Sequence, residues 1–298
     1  MKDYDLIIVG TGPAGLTAAI YAARYKIKTL VLGKLFGGLA TYAHKVCNYP
    51  GFSDISGTEL MMKMVKQSMD LGVNVKQGEV LGVSKKEDKF VVKTKKEEYF
   101  GKKIILATGS ERRKLGLDKE EELTGKGISY CATCDAAFFK DKITGVVGGG
   151  NSALTAALVL AKYSKKVYII YRKSEFCKAE PAWIEQTEKE EKIEAVFNSN
   201  VIELLGEDKL SGVKLDSKKK IELDGLFVEV GSIPNTKIAE DLGCEIDCEF
   251  IRVNERKETS VKGVYSVGDV TNNVLKQIIT ACSDGAIAAE SVFKDLNS

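Results

Sequence analysis

The chain of 298 residues is long enough for two domains of ordinary size, and a content of 44% hydrophobic and 29% charged residues is that of a globular protein. Lysine and arginine total 44 against 42 aspartate and glutamate, a net charge of +2 that gives no bias toward nucleic acid or an anionic membrane, so neither is expected as a partner. The first apolar run, Leu6 to Val9, is too short for a signal-peptide core or a membrane span, which leads to the expectation of a cytoplasmic protein; the single histidine, His44, excludes metal centres built on several imidazoles and most histidine acid–base machinery.

Along the chain, a strand from Tyr4 to Val9 runs into the turn Gly10-Thr11-Gly12-Pro13-Ala14-Gly15, an apolar-periodic helix to about Tyr25 and a strand at Thr29 to Leu32. His44 falls on a loop before Asn48-Tyr49-Pro50-Gly51. Lys89 to Lys103 reads as a hairpin, closed by Ile104-Ile105-Leu106 and the turn Ala107-Thr108-Gly109. After Cys131-Ala132-Thr133-Cys134-Asp135 the opening pattern returns: a strand at Ile143 to Val147, the turn Gly148-Gly149-Gly150-Asn151-Ser152-Ala153, a helix to about Tyr163 and a strand at Lys166 to Ile170. Val201 to Leu215 and Ile221 to Val230 flank a second hairpin turn at Ser217 to Lys220, and this stretch ends at Gly231-Ser232-Ile233-Pro234-Asn235. A strand at Val264 to Val267, the turn Gly268-Asp269 and a helix from Lys276 to Phe293 close the chain.

A glycine-rich turn between a strand and a helix lets the backbone approach a pyrophosphate, whose charge the helix N-terminus favours. Two such turns, each inside a βαβ unit, point to two dinucleotide sites. Where the second unit selects its nucleotide the chain carries Tyr171-Arg172-Lys173, a basic pair that favours NADPH over NADH; the first unit has Gly33-Lys34 and no acid there. Seven cysteines, odd in number and scattered, are not the framework of a secreted domain. Cys131 and Cys134 stand apart, because their spacing suits a redox disulfide and Asp135 supplies a carboxyl group for the proton that exchange requires. The bland reading of that pair is half a zinc site, completed by Cys244 and Cys248, but their spacing in a charged stretch is poor for a zinc ribbon and no metal is expected. Cys177 reads as an inert thiol without a local partner, and Trp183 as packing.

Gly10 to Gly15, Gly37-Gly38, Asn48-Tyr49-Pro50-Gly51-Phe52, Ala107-Thr108-Gly109, Cys131 to Asp135, Gly148 to Ala153 and Gly268-Asp269 together resemble the low-molecular-weight thioredoxin reductases of bacteria and archaea, from end to end. The resemblance implies an α/β fold of two Rossmann-like domains, each of three ββα layers. A discontinuous FAD domain, residues 1–113 and 239–298, would be interrupted at residues 114–238 by an NAD(P)H-type domain carrying the dithiol. It also implies a homodimeric thioredoxin-disulfide reductase that passes electrons from NADPH through FAD to Cys134, with Cys131 attacking thioredoxin or a thioredoxin-like protein and Asp135 as acid–base residue.

By the same resemblance, FAD falls to Gly10, Gly12, Pro13, Ala14, Gly15, Gly37, Gly38, Asn48, Ala107, Thr108, Gly109, Gly268, Asp269, Lys276 and Gln277. The nicotinamide nucleotide falls to Gly148, Gly150, Asn151, Ser152, Ala153, Arg172 and Lys173. The chain departs from the family pattern at several of these places. His-Arg-Arg-x-x-x-Arg has become Tyr171-Arg172-Lys173 with Cys177 at the last position, and Leu39, Cys47 and Lys276 replace Gln, Glu and Arg. Two alternatives remain open at this point. One is the same reductase supplied by reduced ferredoxin, NADH or a deazaflavin; the other is a non-catalytic nucleotide-binding module with structural zinc.

Overall fold

Strands buried on both faces need an unbroken apolar run, and Leu6 to Val9 supplies one within the strand Asp3–Val9. Leu6 and Ile8 enter one hydrophobic cluster while Ile7 and Val9 enter another on the opposite face, as the two-residue period of a strand requires. The computed structural model describes residues 3–43 and 45–298, so His44 lies outside the described residues. The chain divides into two compact units, Met1–Glu111 with Ile233–Ser298, and Arg112–Ser232.

In the first unit the parallel strands lie in the order Asn74–Gln77, Thr29–Gly33, Asp3–Val9, Glu98–Leu106 and Val264–Ser266. The near end of Glu98–Leu106 also continues an antiparallel meander with Lys89–Thr94 and Val80–Lys86, which covers one face of the sheet. The expected hairpin is therefore a three-stranded layer. Helices Pro13–Arg24 and Ile278–Asn297 cover the other face. They cross closely because Gly285 has no side chain: a Cβ there would lie 2.2 Å from the Ala14 carbonyl oxygen. Helix Gly57–Asp70, absent from the reading of the sequence, begins where Ser56 Oγ accepts the Glu59 amide at 3.1 Å and buries Leu60, Met61, Met64 and Val65. Its Ser-x-x-Glu start was the available signal.

The second unit repeats this plan. Five parallel strands run in the order Ile193–Val196, Lys166–Ile170, Ile143–Val147, Gly225–Val228 and Ile128–Ser129. Helix Asn151–Ala161 packs on one face and the meander Val201–Leu205, Gly212–Leu215, Lys220–Glu222 on the other. The expected long arm from Val201 to Leu215 is broken at Gly206, which takes a φ of 122°. Residues 233–238, expected in the inserted domain, group with the first unit. Asn235 accounts for this: its carbonyl accepts Thr108 Oγ1 at 2.8 Å, its Nδ2 donates to the Thr108 carbonyl and its amide to that of Gly109.

Candidate functional site

The Gly10–Gly15 turn is built by close backbone approaches. Gly10 has a φ of 125° and stands so near Ala107 that a Cβ would lie 1.9 Å from its carbonyl oxygen; a Cβ on Gly15 would lie 2.1 Å from the Gly10 oxygen. Gly12 differs from both. It precedes helix Pro13–Arg24 with φ −77° and ψ −177°, conformations open to any residue, and a Cβ there meets nothing within 4 Å. No side chain caps that helix. Free amides at a helix N-terminus beside an open cradle fit the pyrophosphate of a dinucleotide. The Gly37–Gly38 turn lies against the cradle, with the Gly37 amide donating to the Thr11 carbonyl and the Gly38 Cβ position 3.2 Å from Gly12 Cα.

Beside the cradle, where a Cβ on Gly268 would lie 3.1 Å from Ala14 Cβ, the half-buried Asp269 follows Gly268 in a short turn. Burial pushes the Asp269 carboxyl above its ordinary range, against the pull of Lys276. The turn is held from behind by residues the sequence did not single out. Asp284, on the closing helix, accepts the Gly268 amide at 3.1 Å and the Asn273 side-chain amide, and its other oxygen pairs with the half-buried Lys257 at 2.7 Å. Lys276 turns back on the protein: Nζ donates to the carbonyls of Asp269 and Thr271 and lies 3.7 Å from the centroid of the Phe250 ring. Burial lowers the Lys276 pKa. Gln277 caps helix Ile278–Asn297 and accepts Asn48 Nδ2 at 3.0 Å, so these two predicted residues meet across 229 positions of sequence.

In the second unit Cys131 and Cys134 form a disulfide, with 5.3 Å between their Cα atoms. Cys131 is the N-cap of the one-turn helix Ala132–Asp135; its sulfur accepts the Cys134 amide at 3.2 Å and its carbonyl accepts the amides of Cys134 and Asp135. Asp135 Oδ2 accepts the Ser129 hydroxyl at 2.6 Å, and that hydroxyl accepts the Cys131 amide at 3.0 Å. Nearby, buried Glu120 gathers the Leu115, Gly116 and Leu117 amides and the Tyr130 hydroxyl, anchoring the segment that precedes the dithiol. The disulfide occupies both sulfurs of the zinc alternative. Among the described residues, no three His, Cys, Asp or Glu side chains converge as a metal site.

The second glycine turn repeats the first in backbone only. Gly148 has a φ of 144°, with its Cβ position 2.2 Å from the Glu229 carbonyl oxygen, and Gly150 opens an uncapped helix with free space at its Cβ. Between them Gly149 lies under the Tyr171 ring, which a Cβ would approach to 2.5 Å. Asn151 is engaged by the following loop: Nδ2 donates to Glu180 Oε1 at 2.8 Å and Oδ1 accepts the Glu180 amide at 2.7 Å. Ser152 is exposed and Ala153 buried in the helix. Arg172 is exposed, and the exposed Lys173 donates to Cys177 Sγ at 3.2 Å. This corrects the reading of Cys177 as a thiol without a local partner. Hydrogen bonds from Lys173 and Tyr171 pull the Cys177 pKa down, whereas burial pushes those of Cys244 and Cys282 up. Trp183 packs against the helix-side core of this unit.

A family model described as pyridine nucleotide-disulphide oxidoreductase matches residues 4–285. The thioredoxin reductase of Listeria monocytogenes is 38% identical over 300 residues, covering 98% of this chain and 94% of its own. Among solved structures, Lactococcus lactis thioredoxin reductase is 37% identical with a TM-score of 0.94, covering 98% of each chain. The T. acidophilum thioredoxin reductase is also 37% identical, with the same TM-score and complete coverage of both chains. Among the described residues no helix is long and apolar enough to cross a membrane.

Proposed function

The chain belongs to the pyridine nucleotide-disulphide oxidoreductase family and is a thioredoxin reductase within it; on that premise we propose how its residues divide the work. The discontinuous unit holds FAD with Gly10, Gly12, Pro13, Ala14, Gly15, Gly37, Gly38, Asn48, the Ala107–Gly109 turn, Gly268, Asp269, Lys276 and Gln277. The inserted unit takes NADPH with Gly148, Gly150, Asn151, Ser152, Ala153, Arg172 and Lys173, and carries the dithiol. FAD supplies the two-electron chemistry that links NADPH to the disulfide.

In the dithiol state, the Cys131 thiolate attacks one sulfur of the thioredoxin disulfide. That S–S bond breaks, a mixed disulfide forms and one thioredoxin sulfur leaves. Asp135 takes the Cys134 thiol proton and returns it to a departing sulfur. Cys134 then attacks Cys131, restoring the disulfide and releasing the second thioredoxin sulfur, so two electrons and the Cys134 proton have passed to thioredoxin, one of whose sulfurs leaves as a thiolate. The observation that carries this assignment is the bond from the Cys134 amide to Cys131 Sγ. A donor aimed at one sulfur favours its anion, and the anion is the nucleophile. The enzyme works as a homodimer in the cytoplasm, a compartment that suits the free thiols of Cys47, Cys177, Cys244, Cys248 and Cys282.

A second reading keeps the reductase and changes its donor to reduced ferredoxin. It is favoured by Tyr171 over Gly149, by the Asn151–Glu180 clamp and by the diversion of Lys173 to Cys177. Anaerobic titration of the FAD-loaded protein with NADPH, NADH and reduced ferredoxin decides between them. Bleaching by NADPH followed by reduction of thioredoxin is expected. Bleaching by ferredoxin alone would transfer the donor role, and failure to reduce thioredoxin under any donor would overturn the proposal.

A further inference from the structure

Ser129 ends the short strand Ile128–Ser129, where Phe227 is its parallel neighbour in the sheet. The residue is only 6% exposed. A backbone amide can only donate, so the Cys131 N–H that meets Ser129 Oγ makes that oxygen an acceptor and leaves the hydroxyl proton for the Asp135 carboxylate. The direction of this three-member relay is thereby set by the backbone. Among the described residues Asp135 makes no other side-chain hydrogen bond, so Oδ2 is held while Oδ1 stays unengaged.

We propose that Ser129 is a positioning residue of thiol–disulfide exchange: it fixes Asp135 by Oδ2, leaving Oδ1 to take and return the exchanging proton, and it ties that carboxylate to the backbone of Cys131. The proposal rests on the reading of Asp135 as the proton carrier. Its physical basis is orientation. Asp135 sits at the end of a one-turn helix and is half-buried, so without the hydroxyl its carboxylate turns freely and is solvated by water. A proton carrier acts efficiently only when held at the reacting atom. Ser129 itself touches no reacting sulfur in this account; it acts through Asp135.

The experiment is a single-turnover measurement in which enzyme reduced beforehand with dithionite is mixed with oxidised thioredoxin, which removes the donor from the comparison. Ser129→Ala should slow the exchange about tenfold and Asp135→Asn about a hundredfold, the latter at the low end of what a positioned proton carrier contributes. The half-saturating thioredoxin concentration and the FAD content should not change in either. In the double variant, Ser129→Ala should add nothing to the loss from Asp135→Asn, because a residue acting through a carboxylate has no further effect once that carboxylate is gone. Ser129→Thr, which keeps a hydroxyl on a strand, should restore most of the rate.

A normal rate for Asp135→Asn would overturn the reading of Asp135, and the proposal with it. A slow Asp135→Asn beside a normal Ser129→Ala would overturn the proposal and spare that reading. Multiplying losses in the double variant would show that Ser129 acts by a separate, merely structural route.

Discussion

Substituting the three glycines of the first turn one at a time separates what the fold requires from what the cofactor requires. Gly12→Val puts a side chain where the protein itself offers no contact within 4 Å, on a backbone any residue can adopt. The cost to the unliganded protein is therefore that of a poorer N-cap, about 1 kcal/mol at most. FAD bears the larger loss. A side chain in the cradle displaces the pyrophosphate from at least two amide bonds, each worth about 1.5–3 kcal/mol when the acceptor is charged. The sum is about 3–6 kcal/mol, or a roughly hundred- to ten-thousandfold weaker affinity. Gly10→Val and Gly15→Val behave differently, since a Cβ at either would lie 1.9 Å or 2.1 Å from a backbone oxygen that cannot move aside. Those two should fail to fold. FAD titration of the apoprotein by flavin fluorescence, paired with thermal unfolding of the same apoprotein, reads both quantities. A Gly12→Val protein that binds FAD with unchanged affinity, or that fails to fold, would refute the reasoning.

Cys134→Ser should keep FAD and its reduction by the donor but lose thioredoxin reduction entirely, as followed by insulin precipitation; residual turnover above a percent or so would contradict the dithiol route. Arg172→Ala should erase any preference for NADPH over NADH in flavin reduction, and Cys177→Arg should raise it about ten- to a hundredfold, the value of one charge-assisted phosphate contact; equal preference in all three proteins would remove the 2′-phosphate from this loop. Lys173→Met should slow alkylation of Cys177 near neutral pH, because the hydrogen bond that holds its pKa down is lost, and mass-resolved labelling would detect the change. Burial pushes the Glu229 carboxyl up to about 6, only partly opposed by Arg112 at 3.3 Å. The folded state then binds this proton more tightly than the unfolded chain, so its stabilising effect is complete below the ordinary glutamate range and lost as pH rises through about 6. At ~1.4 kcal/mol per pKa unit, Glu229→Gln should flatten the stability profile between pH ~4.5 and ~6.5 by about 2 kcal/mol, measured by denaturant unfolding at each pH. An unchanged slope would count against a protonatable Glu229.

The two βαβ units were legible in the sequence because strands buried on both faces, such as Ile143–Val147, leave runs of valine and isoleucine ending at glycines. The dithiol was legible for an equally local reason, since three residues of separation bring Cys131 and Cys134 within one turn. Helix Gly57–Asp70 was missed although its Ser56 cap was in view, because its apolar stripe is interleaved with lysine, glutamate and glutamine, which makes the stretch as a whole far less apolar than the alanine-rich helices.

What tertiary structure alone decided is the surroundings of those local motifs. Asn235 holds the Ala107–Gly109 turn from 127 residues away, and Lys257 and Asp284 brace Gly268 from a loop and a helix that meet only when the sheet is assembled. Tyr171 covers Gly149, and Lys173 reaches Cys177, for the same reason: a side chain's partner depends on how a loop returns over the sheet. Ser129 shows the division most plainly. It lies six residues from Asp135, yet its hydroxyl is placed by the pairing of Ile128–Ser129 with Gly225–Val228, a register written almost a hundred residues further along the chain. Periodicity and spacing act within a few turns of chain and can be read there, whereas hydrogen bonds between distant segments exist only once strand order has brought their ends together.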